Sequence, residues 1–305
     1  MKSCGEGRHW LLTAALCPVN GFADTHTPMT DSPPDAPVTP PIGPSDSHWR
    51  IRPFAELLHG LKFLTRVPIP FTKTIDLPPL SQSMRLFPLA GAMIGAATGG
   101  LLVLLSMSDM PSLLAAAIAV AFAILVTGAL HEDGLADTAD GFGGGKTREQ
   151  RLEIMRDSRI GTYGTLSLVM VLLLRVAAFE NFAGDEPLLT IGVLAACGAF
   201  SRALMVDLLW ATRPARTDGL SVHAGTPGRN GAAFAIVTAA GLTLAVGLLL
   251  TPASGLIALA AGLVVTAYIR RLAMRLIGGQ TGDVCGAVQV LSEIAMLIAF
   301  VATKG

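Results

Sequence analysis

Seven apolar runs, each close to the length of a bilayer crossing, constrain this chain more than any other feature. They lie near 87–107, 112–130, 162–183, 187–210, 231–250, 254–277 and 285–303. A helix rises about 1.5 Å per residue, so about 20 apolar residues cross a hydrocarbon core of about 30 Å. Lipid offers backbone groups no hydrogen-bond partner, so such runs must be helical. The runs therefore predict an all-α fold: a polytopic membrane bundle of about seven transmembrane helices. Only 14% of the residues are charged, against about 25% in soluble domains. The formal net charge of zero lacks the basic footprint that nucleic acid requires, so no nucleic-acid partner is expected. Cys4, Cys17, Cys197 and Cys285 show no paired spacing, which predicts neither a disulfide framework nor a zinc site.

The connections alternate. Residues 108–111, 184–186 and 251–253 are short and carry no Lys or Arg. The others are longer or basic, with Lys146, Arg148, Arg151, Arg156 and Arg159, then Arg213, Arg216 and Arg229, then Arg270, Arg271 and Arg275. Positive charge stays in the cytoplasm, so residues 50–85 and the long loops are predicted cytoplasmic, with the C-terminus outside.

The flanks read differently. Residues 1–47 form an N-terminal extension; its first 19 residues only weakly resemble a signal sequence, and Thr25 to Ser47, rich in Pro, Asp, Ser and Thr, reads as a disordered linker. Residues 48–305 form the membrane domain. Between Trp49 and Phe71, Phe54, Leu57, Leu58, Leu61 and Leu64 repeat at helical spacing, which predicts a helix lying on the membrane or packed against the protein.

Where the second run ends, the chain places Glu132, Asp133, Asp137 and Asp140 within nine residues and closes in glycines. If the run continues as helix, Asp133, Asp137 and Asp140 stand at i, i+4 and i+7 and share one face. Converging carboxylates repel one another unless a cation sits among them. Hard oxygen donors suit magnesium or calcium. The plainer alternative is a solvated acidic turn. Arg156 and Arg159, three residues apart, are either a phosphate clamp or ordinary cytoplasmic positive charge. Asp157 between them is their ion-pair partner or another ligand. Carboxylates, arginines and glycines in one hairpin point to phosphoryl transfer at the cytoplasmic face. The loops holding Arg216 and Asp283 add polar groups on the same side. Arg175, Arg202, Asp207 and Glu293 lie inside runs. An intramembrane charge is a functional candidate or a helix-to-helix tie; Arg175, toward the outer half, reads as packing or snorkelling.

The run His131-Glu-Asp-Gly-Leu-Ala-Asp-Thr-Ala-Asp-Gly and the later Ile154-Met-Arg-Asp-Ser-Arg-Ile-Gly closely resemble the cobalamin synthase family of adenosylcobinamide-GDP ribazoletransferases. Phe63 to Pro70, Phe87 to Gly95, Ala215 to Leu220 and Gly278 to Gly286 match as well, so the resemblance covers residues 50 to 303 in order. It implies an integral inner-membrane enzyme acting late in adenosylcobalamin assembly. A ribose hydroxyl of α-ribazole, or of its 5′-phosphate, attacks the corrinoid-linked phosphorus of adenosylcobinamide-GDP; GMP leaves and Mg2+ is required. On that resemblance Asp133, Asp137 and Asp140 hold the metal. Arg156 and Arg159 hold the diphosphate, with Arg216 and Asp283 also contacting substrate. Asp140, Asp157 or His131 takes the proton, His131 because its ordinary pKa is near neutrality. Glu132 is dispensable, since that position is often apolar in the family. The resemblance leaves open a homo-oligomer or a complex with other corrinoid-assembly enzymes.

Two other readings keep the membrane fold. Asp137-x-x-Asp140-Gly141 looks like the opening of the CDP-alcohol phosphotransferase motif, but the Ala-Arg that should follow is absent. An ion-coupled carrier would use the intramembrane carboxylates. Against it, the polar groups cluster at one face and the spans show no clear inverted halves.

Overall fold

Twelve helices follow one another in the computed structural model, which describes residues 52–69 and 76–304. They are α1 (Pro53–Leu64), α2 (Leu80–Ser83), α3 (Phe87–Ser106), α4 (Ser112–Thr127), α5 (Leu130–Gly144) and α6 (Arg148–Ile154). Then come α7 (Thr162–Phe182), α8 (Pro187–Ala211), α9 (Leu220–Ala224), α10 (Arg229–Gly247), α11 (Ser254–Leu276) and α12 (Gly282–Ala302). A 3₁₀ turn, Met84–Leu86, joins α2 to α3. No strand forms among the described residues; one isolated bridge joins Pro214 and Gln280. The expectations for residues 1–47 lie outside the described residues.

Six helices, α3, α7, α8, α10, α11 and α12, are long and apolar enough to cross a membrane. The second run departs from expectation. Its helix does not continue into the acidic stretch: α4 and α5 meet at 89°, and α4 alone, at 16 residues, reaches only about 24 Å. The break is Gly128 (φ 64°) and Ala129 (φ 57°), both left-handed. Glycine takes that conformation freely, but a side chain there costs about 1–2 kcal/mol. Tertiary contacts hold the corner. The Arg66 N–H donates to Val126 O at 2.8 Å, and the Arg66 side chain lies where a Gly128 Cβ would be.

Helix packing without a hydrophobic drive needs small residues at the contact. Gly91, Gly95 and Gly99 supply them on α3. A Cβ on Gly91 would stand 2.2 Å from Gly198 O, and one on Gly95 would stand 2.1 Å from Leu194 O, both backbone atoms of α8. The α10–α11 pair meets the same way at Gly247 and Gly255. α8 and α12 are mostly buried and form the centre. The flanking spans turn Leu104, Leu173, Val237, Leu256 and Val264 outward, the apolar surface a bilayer requires.

α1 packs against the protein through Ala55, Glu56, Leu58, Gly60 and Leu64, as one of its two predicted placements requires. Its fully buried Glu56 accepts from Arg85 Nε at 2.6 Å and Nη2 at 2.8 Å. The short connections lie at one end of the bundle. The other end carries α6, α9 and the loops 145–161, 212–219 and 277–281.

Candidate active site

At that end α5 is wedged against α12 and α7. Gly134 and Gly286 allow it: a Cβ on Gly134 would stand 2.9 Å from Asp283 O, and one on Gly286 would stand 3.0 Å from His131 O. The seat on α7 is electrostatic. The two Asp140 oxygens accept the Gly161 N–H at 2.7 Å and the Gly164 N–H at 2.9 Å, capping a helix N-terminus whose first N–H groups have no partner of their own. The turn back is closed by a capping box on α6: Thr147 Oγ1 accepts the Gln150 N–H, and the Gln150 side chain accepts the Thr147 N–H.

Asp133 is exposed and Asp137 half-buried. Asp137 feels the negative charge of Asp133, Asp283 and Asp140, opposed by Arg216 alone among cations. Asp283 accepts from Arg216 Nη2 at 3.2 Å and from Thr281 Oγ1 at 3.1 Å. Beside these carboxylates opens a cleft of about 680 Å³. Phe63, Phe87, Leu130, Met205 and Leu209 form its walls; Asp133, His131, Ser221 and Asp283 supply its polar groups.

A second, open crevice of about 800 Å³ lies among Arg148, Arg213, Arg216, Thr217 and Gly278. Its floor is two loops stitched together. The Ala215 N–H donates to Gln280 O at 2.8 Å and the Gln280 N–H to Arg213 O at 2.9 Å. Arg148 donates to Ile277 O and Ala215 O, and Arg213 Nε donates to Gly278 O at 3.0 Å. Arg216 Nη1 is buried without a hydrogen-bond partner among the described residues.

Behind α5 sits a charge cluster. Arg175 Nη1 donates to Glu132 at 2.7 Å, and its Nη2 lies 3.4 Å from Glu293. Arg202 Nη1 donates to Glu293 at 2.6 Å, and Gln289 Nε2 to the same oxygen at 2.5 Å. Arg175 therefore does not snorkel; it is 3% exposed and ties α7 to α5 and α12. Glu132, expected to be dispensable, carries one of those ties. His131, 2% exposed, lines both the cleft and a cavity bordered by this cluster, and its Nε2 has no hydrogen-bond partner among the described residues.

The structure thus brings together Asp133, Asp137, Asp140, Asp283 and Arg216, with His131 at their inner edge. It does not bring Arg156 and Arg159 into one clamp. Arg156 donates to Asp218 at 2.6 Å, and Arg159 to Asp157 at 2.5 Å. That pairing holds the Asp157 carboxyl down at about 2. Sequence reasoning treated Arg148 and Arg213 as loop charge and passed over Gln289; only their fold partners reveal them. No three His, Cys, Asp or Glu side chains among the described residues converge closely enough to cage a metal. The donor set nonetheless fits magnesium, which takes one or two protein carboxylates and completes its shell with phosphate and water.

An acidic cleft beside an arginine crevice, at one face of a polytopic bundle, defines a membrane-embedded enzyme site for a phosphorylated substrate. The profile of the family described as Cobalamin-5-phosphate synthase matches residues 56–301, and the chain belongs to that family. Curated relatives agree. A protein of Azorhizobium caulinodans named adenosylcobinamide-GDP ribazoletransferase is 47% identical over 258 residues, 82% of this chain and 96% of that one. Proteins of the same name from Sinorhizobium sp (43%, covering 81% of this chain and 96% of that one) and Bradyrhizobium diazoefficiens (42%, covering 80% and 92%) are also similar. No solved structure matches the chain.

Proposed function

We infer that the chain is an adenosylcobinamide-GDP ribazoletransferase of cobalamin biosynthesis, set in the inner membrane with its loop-bearing face in the cytoplasm. The family match across residues 56–301 carries the reading, and the site supplies its chemistry. A hydroxyl oxygen of α-ribazole, or of its 5′-phosphate, forms a bond to the corrinoid-linked phosphorus of the donor. The bond from that phosphorus to the bridging oxygen breaks, GMP leaves with the electron pair, and the hydroxyl proton passes to a base.

Asp133 and Asp137, one turn apart on α5 and facing Asp283, would hold Mg2+. A metal ion bound there would supply positive charge to offset the negative charge building on the leaving oxygen. Asp140 keeps α5 docked on the start of α7, so the two ligands stay in register. Arg216 supplies the cation nearest the carboxylates and orients a phosphate oxygen. Asp157 is a poor acceptor: a general base works best with a pKa near the operating pH, and Arg159 holds this one at about 2. His131 lines the cleft, but burial pushes its imidazole down to about 3; the cleft carboxylates are placed to receive the proton.

The test uses membranes bearing the protein, with adenosylcobinamide-GDP, α-ribazole and magnesium. GMP and cobalamin should form in equal amounts, and EDTA or Asp137→Asn should abolish both. Release of CMP from a CDP-alcohol instead would overturn the reading.

A further inference from the structure

We propose that the substrates divide between the two adjoining cavities. The guanosine diphosphate half of the donor lies in the arginine crevice, and the aromatic acceptor nucleoside lies in the apolar cleft. The Arg216–Asp283 pair is the seam where they react. This rests on the ribazoletransferase reading and adds to it where each half binds.

The two spaces have opposite chemistry. Three guanidiniums line the crevice and no carboxylate does. Arg148 and Arg213 each use backbone carbonyls as anchors, which holds the guanidiniums in place instead of leaving them free in solution. Fixed guanidiniums with donors left over are suited to phosphate oxygens. The buried, unpartnered Nη1 of Arg216 is one such donor. The cleft is the reverse: Asp133 and Asp283 sit among its polar groups and no Lys or Arg lines it. Apart from the Mg2+ that Asp133 and Asp137 would hold, a diphosphate there would face two carboxylates without a counter-charge from the lining. An uncharged, flat nucleoside would instead cover Phe63, Phe87, Met205 and Leu209 and present its ribose to the polar rim.

The cavities abut. Arg216 lines the crevice, Asp283 lines the cleft, and the two are hydrogen-bonded at 3.2 Å. The corrinoid-linked phosphorus therefore sits at the seam, within reach of a hydroxyl from the cleft. When its bond to the bridging oxygen breaks, GMP remains in the crevice with the electron pair, and the hydroxyl proton stays on the cleft side.

The experiment measures binding of GMP and of α-ribazole, separately, to the purified full chain in nanodiscs. Arg213→Gln should weaken GMP about tenfold or more, the scale of one lost charged hydrogen bond, and leave α-ribazole unchanged. Ala224→Phe, filling the cleft, should abolish α-ribazole binding and spare GMP. Leu220→Trp at the exposed mouth is the second variant should Ala224→Phe not fold. Added salt should weaken GMP binding only. If Arg213→Gln weakens α-ribazole, or the cleft variants weaken GMP as strongly as α-ribazole, the division is wrong. Wild-type turnover in the same nanodiscs separates the two failures: crossed binding effects in an active enzyme overturn the division alone, whereas no turnover and no binding of either ligand overturns the ribazoletransferase reading with it.

Discussion

Asp140 shows how little spacing says about a carboxylate's task. Its place at i+7 from Asp133 was readable, and the acidic face of α5 is real. Its partners, Gly161 and Gly164, lie 21 and 24 residues away and could not be read. Two consequences follow. A methyl on Gly164 would stand 2.3 Å from an Asp140 oxygen, so Gly164→Ala should lower the thermal midpoint and the activity together. Asp140→Ala would leave one buried and one part-buried N–H group unpaired and should destabilise the fold by about 1–3 kcal/mol; an unchanged unfolding midpoint would contradict this. Asp157 gives the opposite prediction. Its carboxyl, held at about 2 by the Arg159 hydrogen bonds, is ionised throughout any practical assay. Asp157→Asn should therefore keep both limbs of a pH–rate profile between about pH 5 and 9. Loss of the acid limb would make Asp157 the base after all.

Between residue and molecule stand the helices, and here the spans were legible while their joints were not. Length and hydropathy place six of the seven predicted crossings. The corner at Gly128–Ala129 was hidden because alanine carries no signal for a left-handed turn; contacts from Arg66 hold it. The charge cluster behind the corner was half-legible: Arg175, Arg202 and Glu293 stood out as intramembrane charges, but nothing in sequence says that Glu132 completes them. Breaking a buried pair leaves an unpaired charge and costs about 3–5 kcal/mol. Arg202→Met should accordingly cost about that much, and Arg202→Met with Glu293→Met should recover part of it. Equal losses in the single and double variants would mean that the ion pair does not set the docking of α8 on α12. The α3–α8 contact is less forgiving. Backbone carbonyls occupy the space a Cβ on Gly95 would need, so Gly95→Leu should prevent accumulation of folded protein, while Gly100→Leu, facing open space, should not.

At the scale of the whole molecule the two ends of the bundle differ in a way that sequence already showed, because sidedness depends on counting charges in loops and not on tertiary contacts. One end has connections of a few residues without Lys or Arg; the other holds Arg148, Arg151, Arg156, Arg159, Arg213 and Arg216 together with the cleft and the crevice. Moving those arginines across a bilayer is the unfavourable arrangement, which supports a cytoplasmic active face. The orientation is checked in a chain whose four cysteines, Cys4, Cys17, Cys197 and Cys285, are replaced and single cysteines introduced. In intact spheroplasts a membrane-impermeant maleimide should label Ser108→Cys and Ala253→Cys at the short connections. It should label Glu149→Cys and Ser158→Cys only after the membrane is opened. The reverse pattern would put the active face outside. An odd result at Ser108 alone would have a narrower meaning. Ser108 and Ala253 share a face only if the bent α4–α5 pair returns the chain to the loop-bearing end, so Ser108 tests the corner as well as the orientation.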